Sequence, residues 1–415
     1  MTVADAGPLS HGQLSVWRDI EGLPRERWHE ANTWAHWPVP DGFGTERVRR
    51  ALHTLGARHQ SLHTLYEFDD PAKPRQLLRR FDGDVELTVA ESAPGGPAAV
   101  AAELLGRPFD LRSEYGWRAR IVTDGGRPSG VVLVKHHMTA DGWCDGVLAA
   151  DFQRLLQDPA LPAEPSAPGP SELAAWQHAE HRSRQRNAAS AHWEKVFTSG
   201  RAGYPRADAP ATGYLQCTLR SRHARAGARA LADRTGTPLS SVVLAAYTFS
   251  LARVTGIGLL VAQLMSSNRF LPEWREVVTS MNQWTAAPLA MAPGTGFAEH
   301  AALVHRASLA AYRHGMYDVD TVARLRERNW PHPVPYEATC AFNFLTLDGL
   351  SAPAETDPLM VWEEPFSTIG HGCYLRAADE GGESLALRLR TRDIPQDQVA
   401  AIVEGTHALL VSGMS

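Results

Sequence analysis

Two adjacent histidines, His136 and His137, stand directly after the apolar run Val131 to Val134 and are followed at fixed spacing by Asp141 and Gly142. An imidazole has an unperturbed pKa of about 6.5, so near neutral pH it can accept a proton from an attacking amine or hydroxyl, or orient that nucleophile. If the strand implied by the apolar run persists through the pair, its side chains alternate and the two rings cannot face one cavity. One histidine is then expected to be structural. Asp141 is compatible with a catalytic acid or an orienting carboxylate, although its place after a turn suits a structural carboxylate better. Gly142 fits a tight backbone turn or the close approach of a ligand, and equally an ordinary loop. Four fixed residues at this spacing arise by chance in roughly one chain in a thousand of this length.

Other constellations carry less. His59 and His63 lie four apart on an expected helix, a spacing compatible with two metal ligands, but no third ligand is evident and a structural role is the expectation. Trp17, Trp143 and Trp193 are candidates for a tunnel lining, with burial in the core as the default. Arg47, Arg49, Arg50 and Arg58 form one basic face, and Arg182, Arg184 and Arg186 another. Solvated faces are the default there, and docking of an acidic partner is the sharper option. The sequence has no phosphate-binding glycine loop, no GxSxG elbow and no HExxH.

The elements that must position these residues are partly legible. Apolar periodicity predicts a helix from about Glu46 to His59 and strands near Leu77, Leu87 and Val131. The stretch Pro159 to Pro170 carries five prolines, which excludes helix and predicts a domain boundary. The expected division is residues 1–160, a linker over 161–170, and residues 171–415. A polar, arginine-bearing helix is expected from Ser171 to Phe197. Thr237 and Pro238 read as N-cap and first-turn proline of an apolar helix, Leu239 to Val254, which Gly256 would stop. Leu259 to Leu264, Tyr336 to Leu347 and Leu385 to Leu389 read as strands.

Composition sets outer bounds. With 415 residues, 44% of them hydrophobic and 21% charged, the chain is long enough for two cores and is neither disordered nor fibrous. A net charge of −5 gives no global attraction to nucleic acid or to an anionic membrane. Cys144, Cys217, Cys340 and Cys373 are widely spaced, so neither a zinc ribbon nor a disulfide framework is indicated. The first residues lack a signal-peptide pattern and no apolar run reaches membrane-spanning length, so a soluble cytoplasmic protein is expected.

The stretch HHMTADGW resembles the HHxxxDG signature of condensation domains from nonribosomal peptide synthetases, a branch of the acyltransferases related to chloramphenicol acetyltransferase. The resemblance runs in order along nearly the whole chain. Pro8 to Trp17 is similar to the opening family motif through Ser10, Gln13 and Trp17, and Arg58 to Thr64 to the second motif, with His63 where an arginine is usual. Arg107 to Leu111 and Trp117 to Arg120 resemble the segment leading into the central strand. His192-Trp193-Glu194, then Pro238 to Gly256, Asn268-Arg269 and Asn282 resemble markers of the second half. Val278 to Gln283 departs from the pattern, which usually has a glycine, aromatics and then Asn-Thr in a strand near the substrate channel.

The resemblance implies an α/β fold of two chloramphenicol acetyltransferase-like sandwich lobes, arranged as a V-shaped pseudodimer around a central tunnel. It implies that His137 is the catalytic residue and His136 a packing one, that Asp141 pairs with Arg269 from the second lobe, and that Gly142 admits a pantetheine arm. Trp143, Asn282 and Gln283 fall along the implied substrate channel. The expected function is a free-standing condensation enzyme transferring an acyl or aminoacyl group from a carrier-protein thioester to an amine, less readily a hydroxyl, in natural-product biosynthesis. Because the thioester stores the energy, no metal, ATP or redox cofactor is expected in the chain. Phosphopantetheine on an acyl or peptidyl carrier protein is the cofactor implied. A CoA-dependent acyltransferase and a non-catalytic recruitment domain are the rival readings.

Overall fold

The computed structural model describes residues 3–92, 94–164, 167–199, 213–292, 294–330, 340–347, 358–365 and 367–414. They fall into two compact units, Met1–Arg184 with Ser267–Gln283, and Gln185–Ser266 with Trp284–Ser415.

The first unit contains β1 (Val3–Pro8), α1 (His11–Ile20), β2 (Asn32–Pro38), α2 (Thr45–Arg58), β3 (Thr64–Glu67), β4 (Arg75–Arg79), β5 (Leu87–Glu91), α3 (Gly96–Leu105), β6 (Trp117–Asp124), β7 (Arg127–His136), α4 (Cys144–Gln157) and α5 (Pro170–His178). Its strands make a four-stranded sheet in the order β2-β7-β6-β5 and a three-stranded sheet β1-β4-β3. The central strand β7 pairs antiparallel with both β2 and β6. Val131 and Leu133 on one face of β7 share a core with Leu52 and Leu55 of α2 and with Leu148 and Phe152 of α4. That face therefore lies against α4, whose first turn follows the histidine motif.

Local sequence explains the ends of the elements near the site. Ser10 caps α1: its Oγ accepts the Gln13 amide while the Gln13 side chain accepts the Ser10 amide at 2.9 Å, a reciprocal capping box. Gly12, in the first turn of α1, is required for a different reason. A methyl group there would overlap the carbonyl of Ser280, so only glycine allows that loop to lie against the helix.

The second unit contains α6 (Ser183–Phe197), which begins at the division, then β8 (Tyr214–Ser221), α7 (Arg222–Thr235), α8 (Leu239–Thr255), β9 (Leu259–Ser266), β10 (Gln283–Ala290), α9 (Phe297–Tyr312), α10 (Val319–Asn329), β11 (Cys340–Leu347), β12 (Leu359–Glu363), β13 (Cys373–Glu380), β14 (Ser384–Arg392) and α11 (Gln396–Val411). The sheet order is β10-β9-β11-β13-β14-β8-β12. In α8 every residue from Ser241 to Ala252 is buried, as suits a helix apolar on all sides, and Gly256 ends it in the left-handed conformation at φ 71°. No helix among the described residues is long and apolar enough to cross a membrane.

Three sequence expectations need correction. The division falls at Arg184/Gln185 and leaves the proline-rich segment inside the first unit. The cause is hydrogen bonding: Gln177 Oε1 accepts the His11 amide at 2.8 Å, and Pro170 O accepts from Gln76 Nε2 at 3.2 Å, which ties α5 to α1 and β4. The helix expected over Ser171 to Phe197 is broken at Ala179, whose backbone is extended at ψ 147°, into α5, a short 3-10 turn and α6. Val278 to Asn282 is loop, and strand β10 starts only at Gln283. Of the strand expected over Tyr336 to Leu347, residues 336–339 lie outside the described residues and the remainder is β11.

Candidate active site

β7 ends at His136, but the His137 amide still donates to Ala31 O at 2.9 Å, so the antiparallel pairing with the β2 side continues one residue further. Alternation therefore separates the two rings. His136 is buried on the far face with Phe109, its ring centroid 6.3 Å away. Its Nδ1 accepts the Met138 amide at 3.2 Å, which places its proton on Nε2. Burial, with a smaller contribution from His137, pushes its pKa down to about 3.

His137 differs in access and in partners. It is partly exposed, and Ser280 Oγ lies 3.4 Å from its Nδ1. Ser280 donates its single hydroxyl proton to Asn282 Oδ1 at 3.1 Å, so toward His137 it can only accept. With Ser280 Oγ accepting from Nδ1, the matching tautomer carries its lone pair on Nε2, the form a general base needs. Burial lowers the His137 pKa below the ordinary histidine value, against an opposing pull from Asp141, so the ring is neutral at neutral pH.

Asp141 is fully engaged elsewhere. Arg269 Nη2 lies 3.0 and 3.2 Å from its two oxygens, the Met281 amide donates at 2.9 Å, and the Cys144 amide and thiol donate at 3.3 and 3.2 Å. Burial disfavours the carboxylate, but Arg269, the Met281 amide and Cys144 outweigh that cost and hold its pKa below the usual range. Burial also pushes the Cys144 thiol up to about 12, so it is no nucleophile at neutral pH. Arg269 in turn donates to the carbonyls of Trp274, Val277 and Thr279. The pair thus staples the loop 267–282 onto the His137 turn, and both residues belong to the same compact unit, which corrects the expectation that Arg269 comes from the second lobe. Asn268, just before Arg269, takes a left-handed φ of 56° and donates from Nδ2 to Met281 O at 2.8 Å, which closes the loop.

The remaining candidate residues sort by access. Gly142 is exposed with open space where a Cβ would stand, so nothing in the chain itself requires glycine there. Trp143 is half exposed, its indole N–H donating to Arg275 O at 2.9 Å, whereas Trp17 and Trp193 are buried. Asn282 is partly buried beside Ser280, and Gln283 is buried against Asn268. His59 and His63 take separate partners, Asp151 at 3.0 Å and the carbonyl of Arg79, because α2 stops at Arg58. No cluster of three metal-ligating side chains occurs among the described residues. Of the arginines expected on one face of α2, Arg47 and Arg49 donate to the carbonyls of Leu156 and Leu87, and Arg58 is buried on Asp151, leaving Arg50 exposed.

Sequence reasoning passed over Ser280, Lys135 and Asp145. Ser280 carries no periodic signal, whereas a lysine interrupting an apolar strand next to the histidines was a readable mark for Lys135.

Comparison with known proteins fits this geometry. The condensation-domain profile matches residues 26–332, most of the chain, and the chain belongs to the condensation-domain family. Tyrocidine synthase 3 of Brevibacillus parabrevis is 26% identical over 285 residues, which are 66% of this chain and 4% of that protein. The chain spans between 1% and 8% of the length of the first curated relatives it matches. Among solved structures, the condensation domain of the Monacolin K polyketide synthase MokA aligns over 100% of this chain and 99% of that one, with TM-score 0.81 and 16% identity. An epimerization domain, TycB3(E) of tyrocidine synthetase B, aligns over 99% and 98% with TM-score 0.75 and 14% identity. The fold is thus that of condensation domains, and one fold carries more than one chemistry.

Proposed function

We propose that the chain transfers an acyl or aminoacyl group from a carrier-bound pantetheine thioester to an amine, less readily to a hydroxyl, with His137 as the catalytic residue. The observation that supports this most is the pairing of a partly exposed imidazole, neutral at neutral pH, with an Asp141 fully engaged by Arg269, the Met281 amide and Cys144. The amine nitrogen attacks the thioester carbonyl and forms the new C–N bond, while His137 Nε2 takes the ammonium proton. The tetrahedral intermediate collapses with cleavage of the C–S bond, and the proton passes to the departing pantetheine sulfur. The amides of Gly142 and Trp143, exposed residues just before α4, are the donors we assign to the developing oxyanion. The open space at Gly142 suits the approach of the pantetheine arm. Pantetheine is the only cofactor in this scheme, and the carrier protein brings it.

The donor is the point on which a CoA-dependent reading differs, since both thioesters end in the same arm. Only a carrier offers a protein surface for exposed arginines such as Arg50 and Arg184. We expect a separately supplied acyl-carrier donor to give kcat/KM at least about tenfold above the matching acyl-CoA, with the gap shrinking as salt rises. Equal kcat/KM for the two donors at low salt would contradict carrier dependence and favour the soluble donor.

A further inference from the structure

Lys135 is a charged residue that follows the apolar run Val131 to Val134 on β7. Its side chain has no exposure, and its Nζ reaches Asp145 Oδ1 at 2.5 Å and Thr33 Oγ1 at 3.1 Å. Thr33 stands directly across from it in the β2–β7 register. Asp145 lies in the first turn of α4, and 32% of its side chain reaches solvent. Replacing a buried ion pair by apolar side chains of similar volume is often neutral or stabilising, so stability alone gives little reason for a lysine here. Its position gives a better one. Lys135 and His137 are two residues apart on a strand, hence on one face, and Asp145 faces them from the helix. The pair bridges β7 and α4, the two elements between which the His137 turn is strung.

We propose that Lys135 and Asp145 are positioning residues for His137, clamping the end of β7 to the first turn of α4 and setting the balance of charge on the imidazole. This rests on the reading of His137 as the general base. The groups around that ring are Asp141 from the turn, Lys135 and His136 from β7, Asp145 from α4, and the uncharged hydroxyl of Ser280 from the loop; Arg269 and Cys144 engage Asp141. After burial and Asp141, the cation of Lys135 lowers the His137 pKa and the anion of Asp145 raises it. A mere structural brace would be indifferent to the sign of the charge removed, whereas this pair is not.

The test is direct titration of His137 by histidine-selective NMR in the full-length chain, which needs no turnover. Lys135→Met should raise its midpoint and Asp145→Asn should lower it, each by about half a pH unit or more. The double variant should return close to the parent, and Asp145→Glu should stay there. Shifts of the same sign in both single variants, or none in either, would overturn the proposal. If Lys135→Met does not fold, Asp145→Asn at its partly exposed position decides by its sign alone. Opposite shifts in the NMR midpoint that the pH dependence of condensation fails to follow would leave the pair's role intact and count against His137 as the base.

Discussion

His300 on α9 of the second unit and His137 beyond β7 of the first both have imidazoles driven below the ordinary histidine range by burial. Their settings otherwise diverge. His300 has no exposure, its Nε2 lies 2.8 Å from Thr248 Oγ1, and burial alone takes its pKa to about 4. His137 keeps an open side, and Asp141, Lys135 and Asp145 all act on it. A depressed pKa therefore does not by itself mark a site. What distinguishes the first region is a titratable ring with access to solvent, held between charged groups that are anchored to separate elements.

The largest effect should come from breaking that anchorage. Asp141→Ala or Arg269→Ala alone strands a buried charge and should cost about 3–5 kcal/mol of stability in denaturant titration. The double variant should recover part of the loss, because neither charge is left alone. Strictly additive losses would show that the two residues do not act together. No comparable collapse is expected around His300, whose partner is an uncharged hydroxyl.

Much of this arrangement was legible. The apolar run and the alternation rule placed the two histidines on opposite faces, and the family resemblance pointed from Asp141 to Arg269 across 128 positions. Proline and glycine marked both ends of α8, but Pro238 is itself the N-cap and Thr237, the expected cap, does not cap the helix. That Val278 to Asn282 belongs to the loop was not legible, because the loop's form is set by one guanidinium taking the carbonyls of Trp274, Val277 and Thr279, and local pattern does not reveal where a distant arginine points. The domain boundary misled for a similar reason. Five prolines are conspicuous in a sequence, while the bond from the His11 amide to Gln177 that keeps α5 in the first unit leaves no trace there.

A smaller effect should separate structural from functional histidines. His136→Ala and His300→Ala should each lose about 1–3 kcal/mol of stability through a buried void and lost hydrogen bonds. In both, kcat/KM for the folded fraction should stay within about threefold of the parent. A rate loss at His136 as large as that at His137, with stability unchanged, would reverse the assignment of the two rings.

The central claim, that His137 carries the proton transfer, is tested most directly by kcat/KM against pH for the parent and for His137→Ala, with one acyl-carrier donor and one amine. Because burial holds the His137 pKa below the ordinary value, the parent should keep its base form at pH 7 and lose activity only as pH falls through that lower pKa. His137→Ala should be slower by about 10²–10⁴-fold with its melting temperature nearly unchanged, and should lack that acidic limb. Near-parental turnover by a folded His137→Ala protein, with the limb intact, would contradict the account.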